Sequence, residues 1–163
     1  MPDELNIFEE EFWSIKGVLE KLLQGANAKA VLLIDKAGQL ITSAGDTTGI
    51  DVPSFSTLAA ADFAATSQLA TLIGESEFSH LFHQGEKNSI YVTLVASKVI
   101  LAVIFDNRTN LGLVRVRVKQ AASELEAIFK RIYEKLESEL GSPLKLDEGF
   151  IEEAESELDN LFK

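Results

Sequence analysis

Residues 111–140 read LGLVRVRVKQAASELEAIFKRIYEKLESEL, and the fold turns on whether they open as a strand or run as one helix. Val114, Val116 and Val118 alternate with Arg115 and Arg117, the pattern of a half-buried strand. The longer window decides against that. Val114, Val118, Ala121, Leu125, Ile128, Ile132, Leu136 and Leu140 return every three or four residues over about seven turns. The spacing predicts one long helix, Leu111–Leu140. Thr109 or Asn110 is placed to cap it, and Gly141, Ser142 and Pro143 stop it.

Upstream, Val99 to Phe105 is an unbroken apolar run, which suits a strand covered on both faces. NSIYVTLVAS precedes it as another strand, with Lys98 in the tight turn between them. FSHLFHQGE alternates loosely and reads as a third strand of this group, Phe78 to Gln84. Nearer the start, Ala30 to Ile34 is again apolar without alternation. DKAG turns it back into QLITSAG as a hairpin. The chain opens with an amphipathic helix whose apolar side carries Leu5, Phe8, Phe12, Ile15, Leu19 and Leu22, ended by Gly25 and Asn27.

Between the two strand groups lies a helix from about Pro53 to Ile73. At about 100° per residue, Phe55, Leu58, Ala65, Leu69, Leu72 and Ile73 share a side, which is expected to pack on the sheet. Thr57, Ala60, Ala64, Ser67, Gln68 and Thr71 form a low-bulk stripe roughly opposite. The order is helix, two strands, helix, three strands, long helix. With strands buried on both faces, this is an α/β (α+β) three-layer sandwich around a five-stranded sheet. The sandwich domain spans residues 1–140. Residues 141–163 form an acidic tail in which Phe150, Ile151, Ala154, Leu158, Leu161 and Phe162 make one more apolar stripe. A helix that short is marginal alone, so the stripe needs a dock.

Composition narrows the function. The 163 residues are 46% hydrophobic and 25% charged, with a net charge of −11, which disfavours nucleic acid and anionic lipid as partners. There is no cysteine, hence no disulfide, thiolate chemistry or cysteine-based zinc site. No basic-then-apolar leader and no apolar run of about 20 residues occurs, so the reading is a soluble, cytoplasmic protein.

Catalytic patterns are missing. No P-loop, no dinucleotide-binding glycine motif and no nucleophile elbow is present. GDTTG (Gly45 to Gly49) lacks the lysine and following helix of a phosphate cradle. His80 and His83, three apart on a strand, point to opposite faces and do not share a metal. Arg108, in a loop, has the placement of an arginine finger, but a surface or capping role is the simpler reading. A binding module with no cofactor and no metal is expected.

AVLLIDKAGQLITSAG (Ala30 to Gly45) resembles the first hairpin of the Roadblock/dynein light chain family. SIYVTLVASKVILAVIFDNRTNLGLVRVRVKQAASELEAIF (Ser89 to Phe129) resembles more specifically its bacterial branch, which activates a Ras-like polarity GTPase. The likeness covers about residues 5–140 and rests on extent, since no single motif is catalytic. It implies that residues 1–140 are a Roadblock domain, an αββαβββα sandwich with sheet order 2-1-5-4-3. It implies a homodimer sealed through the edge strand, with Phe78, His80, Leu81, Phe82 and His83 at the seam. The paired second helices would form a platform for the GTP form of a small GTPase, two regulator copies to one GTPase. Thr57, Ala60, Ala61, Ala64, Gln68 and Thr71 carry over as the GTPase-contacting strip. The implied role is stimulation of hydrolysis by ordering the partner's switch loops, without an arginine finger, in cell polarity or gliding motility. Recruitment to a cell pole is left open. The alternatives are a non-catalytic Roadblock scaffold or a regulator of nucleotide exchange acting through the tail.

Overall fold

The computed structural model describes residues 8–140 and 148–161, with side chains described for 8–138 and 155–161. The elements in chain order are α1 (Glu9–Ala26), β1 (Ala30–Asp35), β2 (Leu40–Gly45), α2 (Val52–Leu72), β3 (His80–Gln84), β4 (Asn88–Val95), β5 (Val99–Asp106), α3 (Leu111–Leu140) and α4 (Glu148–Leu161). The strands form one sheet in the order β2-β1-β5-β4-β3, every neighbouring pair antiparallel. Sheet order and fold class are as the sequence and its resemblance imply.

The segment 111–140 is one helix. Asn110 caps it, its Oδ1 accepting from the Leu113 amide at 2.9 Å. Val114, Val118, Ala121, Leu125, Ile128, Ile132 and Leu136 are all buried, whereas Val116 faces solvent. The helical period therefore wins over the local valine–arginine alternation. The side chain of Leu140 lies outside the described residues, as does Leu5 of the α1 pattern. Asn27 ends α1 in the left-handed conformation, its amide donating to the Gln24 carbonyl at 3.2 Å.

Two core clusters lie on the two faces of the sheet. On one face α1 and α3 pack on Val31, Leu33, Val95, Leu101, Val103 and Phe105. On the other, α2 covers Ala30, Leu32, Ile34, Ile100, Ala102 and Ile104. Alternate residues of β1 and β5 feed opposite clusters, which is why both strands are apolar throughout. At the hairpin end, Gly45 has φ +89°, and a Cβ there would sit 2.4 Å from the Lys29 carbonyl oxygen and 3.0 Å from the Ala30 Cα. Gly45→Ala is expected to cost about 2–3 kcal/mol from backbone strain plus overpacking. That lowers the melting temperature by roughly 4–12 °C, read by thermal denaturation. An unchanged melting point would show that the β2 terminus can relax.

The tail folds back on its own chain. Leu158 of α4 is buried in the α1/α3 core cluster, Leu161 packs against it, and Glu155 pairs with Lys98. The side chains of Phe150, Ile151, Ala154 and Phe162 lie outside the described residues.

Candidate protein-interaction surface

The sheet-facing side of α2 mixes small residues with two phenylalanines and a valine. Ser56, Ala60 and Ala70 are buried along with Phe63, and Val52, Phe55 and Ala59 are partly covered. Small side chains bring the helix close to bulky strand residues beneath. The β1–β2 turn also presses against its start: a Cβ on Gly38 would lie 2.9 Å from the Thr57 Cα.

This reverses part of the sequence expectation. Leu58, Leu69, Leu72 and Ile73 do not pack on the sheet; they are 67%, 58%, 80% and 70% exposed. Ala60, expected in the low-bulk strip, is 8% exposed and lies against the sheet, and Ser67 is half-covered. Both errors have one cause. Apart from Asp62, α2 carries no charged residue, so apolar and small side chains occur all round it and periodicity alone does not pick a face. The direction of burial falls between the two stripes that the wheel distinguished.

What remains outward is a face about 30 Å long without a formal charge. It has two lanes. Thr57, Ala61, Ala64, Gln68 and Thr71 form a low lane, Gln68 and Ala64 near its middle. Leu58, Ala65, Leu69 and Leu72 form a ridge beside it. The ridge shares its flank with Asp62, whose Oδ2 is 2.6 Å from His83 Nε2 on β3. The leucine ridge therefore borders the β3 side of the molecule.

β3 is the outer strand of the sheet and pairs only with β4 among the described residues. It begins at His80, so Phe78 precedes the strand as a half-buried residue rather than belonging to it. Ser79 anchors the lead-in, its carbonyl accepting from Thr93 Oγ1 at 2.9 Å. His80 stacks on Tyr91 with ring centroids 5.6 Å apart, and Phe82 stacks on Phe105 at 6.1 Å, both on the α3 face. Leu81 and His83 project to the α2 face. The two histidines thus lie on opposite faces, as their spacing predicts. Burial pushes the Tyr91 hydroxyl pKa up, opposed in part by the Arg115 guanidinium beside it.

Arg108 is held locally. Its Nε donates to Asp106 Oδ1 at 3.0 Å, and its carbonyl accepts from Asn27 Nδ2 at 3.1 Å. Hydrogen bonds from the Arg108 amide and side chain keep the Asp106 carboxyl below the usual range.

The model of the Roadblock/LC7 domain matches residues 15–105, more than half of the chain. This chain belongs to the Roadblock/LC7 family. Among solved Roadblock relatives, Myxococcus xanthus MglB is 55% identical, covering 76% of this chain and 92% of that one, with a TM-score of 0.73. The gliding protein MglB from Thermus thermophilus is 31% identical over 74% of this chain and 92% of that one, with a TM-score of 0.70. An uncharacterised Methanocaldococcus jannaschii protein is 30% identical over 115 residues, 71% of this chain and 99% of its own. The matched Roadblock region contains α2 and β3, so the uncharged helix face and the outer strand both lie inside the shared domain.

Nothing in the sequence singled out Leu58, Leu69, Leu72 and Ile73 as outward. The signal that could have done so is the near absence of charge around α2. A helix apolar on every side needs a second covering surface besides its own sheet.

Proposed function

We propose that this protein is a homodimeric activator of a Ras-like polarity or motility GTPase, with the outer face of α2 as its docking platform. The observation that carries this reading is the uncharged outer face of α2, with its three exposed leucines, Leu58, Leu69 and Leu72. The likeness to MglB at 55% identity and the branch resemblance in Ser89–Phe129 supply the partner class.

The two lanes suit different tasks in this reading. If β3 pairs with its twin, the leucine ridge on the β3 side of α2 meets the ridge of the second copy. Covering each such leucine stabilises by about 1.5–3 kcal/mol. The low lane, Thr57, Ala61, Ala64, Gln68 and Thr71, then faces away from the seam. Its small side chains admit another protein's backbone closely, where lysine or glutamate would hold it off. Ala60 leaves the strip because it lies against its own sheet.

The low lane contains no arginine, so stimulation works by selection: the platform binds the hydrolysis-ready, GTP-loaded arrangement of the switch loops better than the others. Arg108→Ala is expected to keep stimulation within about threefold, since this side chain is engaged with Asp106. A loss of roughly a thousandfold in single-turnover hydrolysis would instead mark a finger.

The proposal as a whole is tested by co-elution with a small GTPase from the same cell, with mass from light scattering. A complex of two regulators and one GTPase, formed with GTP and not with GDP, is expected. No complex, or one indifferent to nucleotide, refutes the reading.

A further inference from the structure

On the sheet face away from α2, a groove of about 520 Å³ runs between β3–β4 and the first half of α3. It exists because α1 and α3 lie side by side over the other strands and leave the end of the sheet bare. Tyr91, Val116, Val118 and Ala122 give it apolar walls. Arg115 and Lys119, one turn apart on α3, add two cations at its rim, with His80 opposite. Among the described residues, no carboxylate lines it. In a chain with 26 acidic residues against 15 basic ones, a cationic apolar groove is a local reversal of the surface's sign.

We propose that this groove docks an acidic, apolar-faced segment of a separate protein. Charge complementarity selects the acid: carboxylates of the partner would pair with Arg115 and Lys119, where the Arg115 fork can hold one in bidentate fashion. Apolar side chains of the same segment would cover the exposed Val116 and the half-buried Ala122. Nucleic acid and anionic membranes are disfavoured because the chain's net charge of −11 repels an extended polyanion, whereas a short segment meets only the groove. The chain's own acidic helix is not the occupant in this structure. α4 is engaged elsewhere, with Leu158 in the core and Glu155 on Lys98. The groove and the outer face of α2 are on opposite faces of the sheet, so failure of one reading leaves the other standing.

The probe is a synthetic 16-residue helical peptide with glutamates along one side and leucine and phenylalanine along the other. Its counterpart carries lysine for every glutamate. Binding to the full chain is followed by fluorescence anisotropy and by amide shifts in NMR spectra. The acidic peptide is expected to bind and to shift Gly112, Val116 and Ala122. Affinity should fall at least about tenfold in Arg115→Glu/Lys119→Glu, and fall again as salt rises to about 0.3 M. Both substituted side chains are exposed, and an unchanged melting curve confirms the variant's fold. No binding, equal binding of the lysine peptide, or an unaffected double variant overturns the proposal. A peptide of residues 144–163 that produces the same shifts with higher affinity would assign the groove to a second copy and overturn the separate-protein source.

Discussion

Ala64→Arg is expected to weaken binding of the GTP-loaded GTPase by roughly a hundredfold or more, about 2.7 kcal/mol, and to abolish stimulated hydrolysis. Ala64 is exposed in the middle of the low lane, so the arginine meets no clash within its own chain. The fold and the dimer should persist, checked by melting temperature and light scattering. The loss comes from geometry first. A long side chain where a methyl stood separates the two backbones, and the small contacts on either side lose their partner atoms together. Desolvating a guanidinium without a carboxylate opposite adds to the penalty. Unchanged binding in a pull-down with GTP-loaded partner would remove the low lane from the interface.

Leu69→Asp is expected to raise the dimer dissociation constant by roughly a hundredfold, measured by sedimentation or dilution light scattering. Leu69 is 58% exposed in the single chain, so a polar replacement should leave the monomer folded. On the leucine ridge it would otherwise be covered by the twin helix. Full burial of a leucine is worth about 1.5–3 kcal/mol, so at 58% exposure the substitution removes roughly 1–2 kcal/mol of it for each copy. A twofold axis also repeats each new carboxylate on the facing copy, and like charges repel. Under the proposed arrangement, in which two copies serve one GTPase, stimulation should fall in parallel. A variant that stays dimeric at nanomolar concentration would show that the ridge lies away from the seam. The low lane and the ridge would then have to exchange roles.

The contrast between these two lanes also shows how far the sequence could be read. Val99–Phe105 and Ala30–Ile34 announce themselves as central strands because burial on both faces leaves no polar position. The long helix is legible because seven of its spaced apolar residues converge on one buried line, outweighing a three-valine alternation. In both cases polar and apolar residues separate cleanly, so the period reports the direction of burial. In α2 they do not separate. Leu58 and Leu72 look like core residues, and Ala60 looks like a surface one, yet the sheet takes the alanine and solvent takes the leucines. Hydrophobicity states that a residue is to be covered; it does not state whether the cover is the chain's own sheet or another molecule. The His83–Asp62 contact, which fixes the flank of α2 that borders β3, joins residues 21 apart in sequence and has no local signature. The dock of the tail was equally hidden: the apolar stripe could be read, but its seat beside Lys98 arises only when the β4–β5 turn and α3 come together.

The most direct test is single-turnover release of phosphate from the GTP-loaded small GTPase of the same cell, with and without this protein. Acceleration by orders of magnitude is predicted, saturating at two regulator chains per GTPase and lost in Ala64→Arg. A complex that forms while phosphate release keeps its intrinsic rate would contradict activation and leave a Roadblock scaffold in its place.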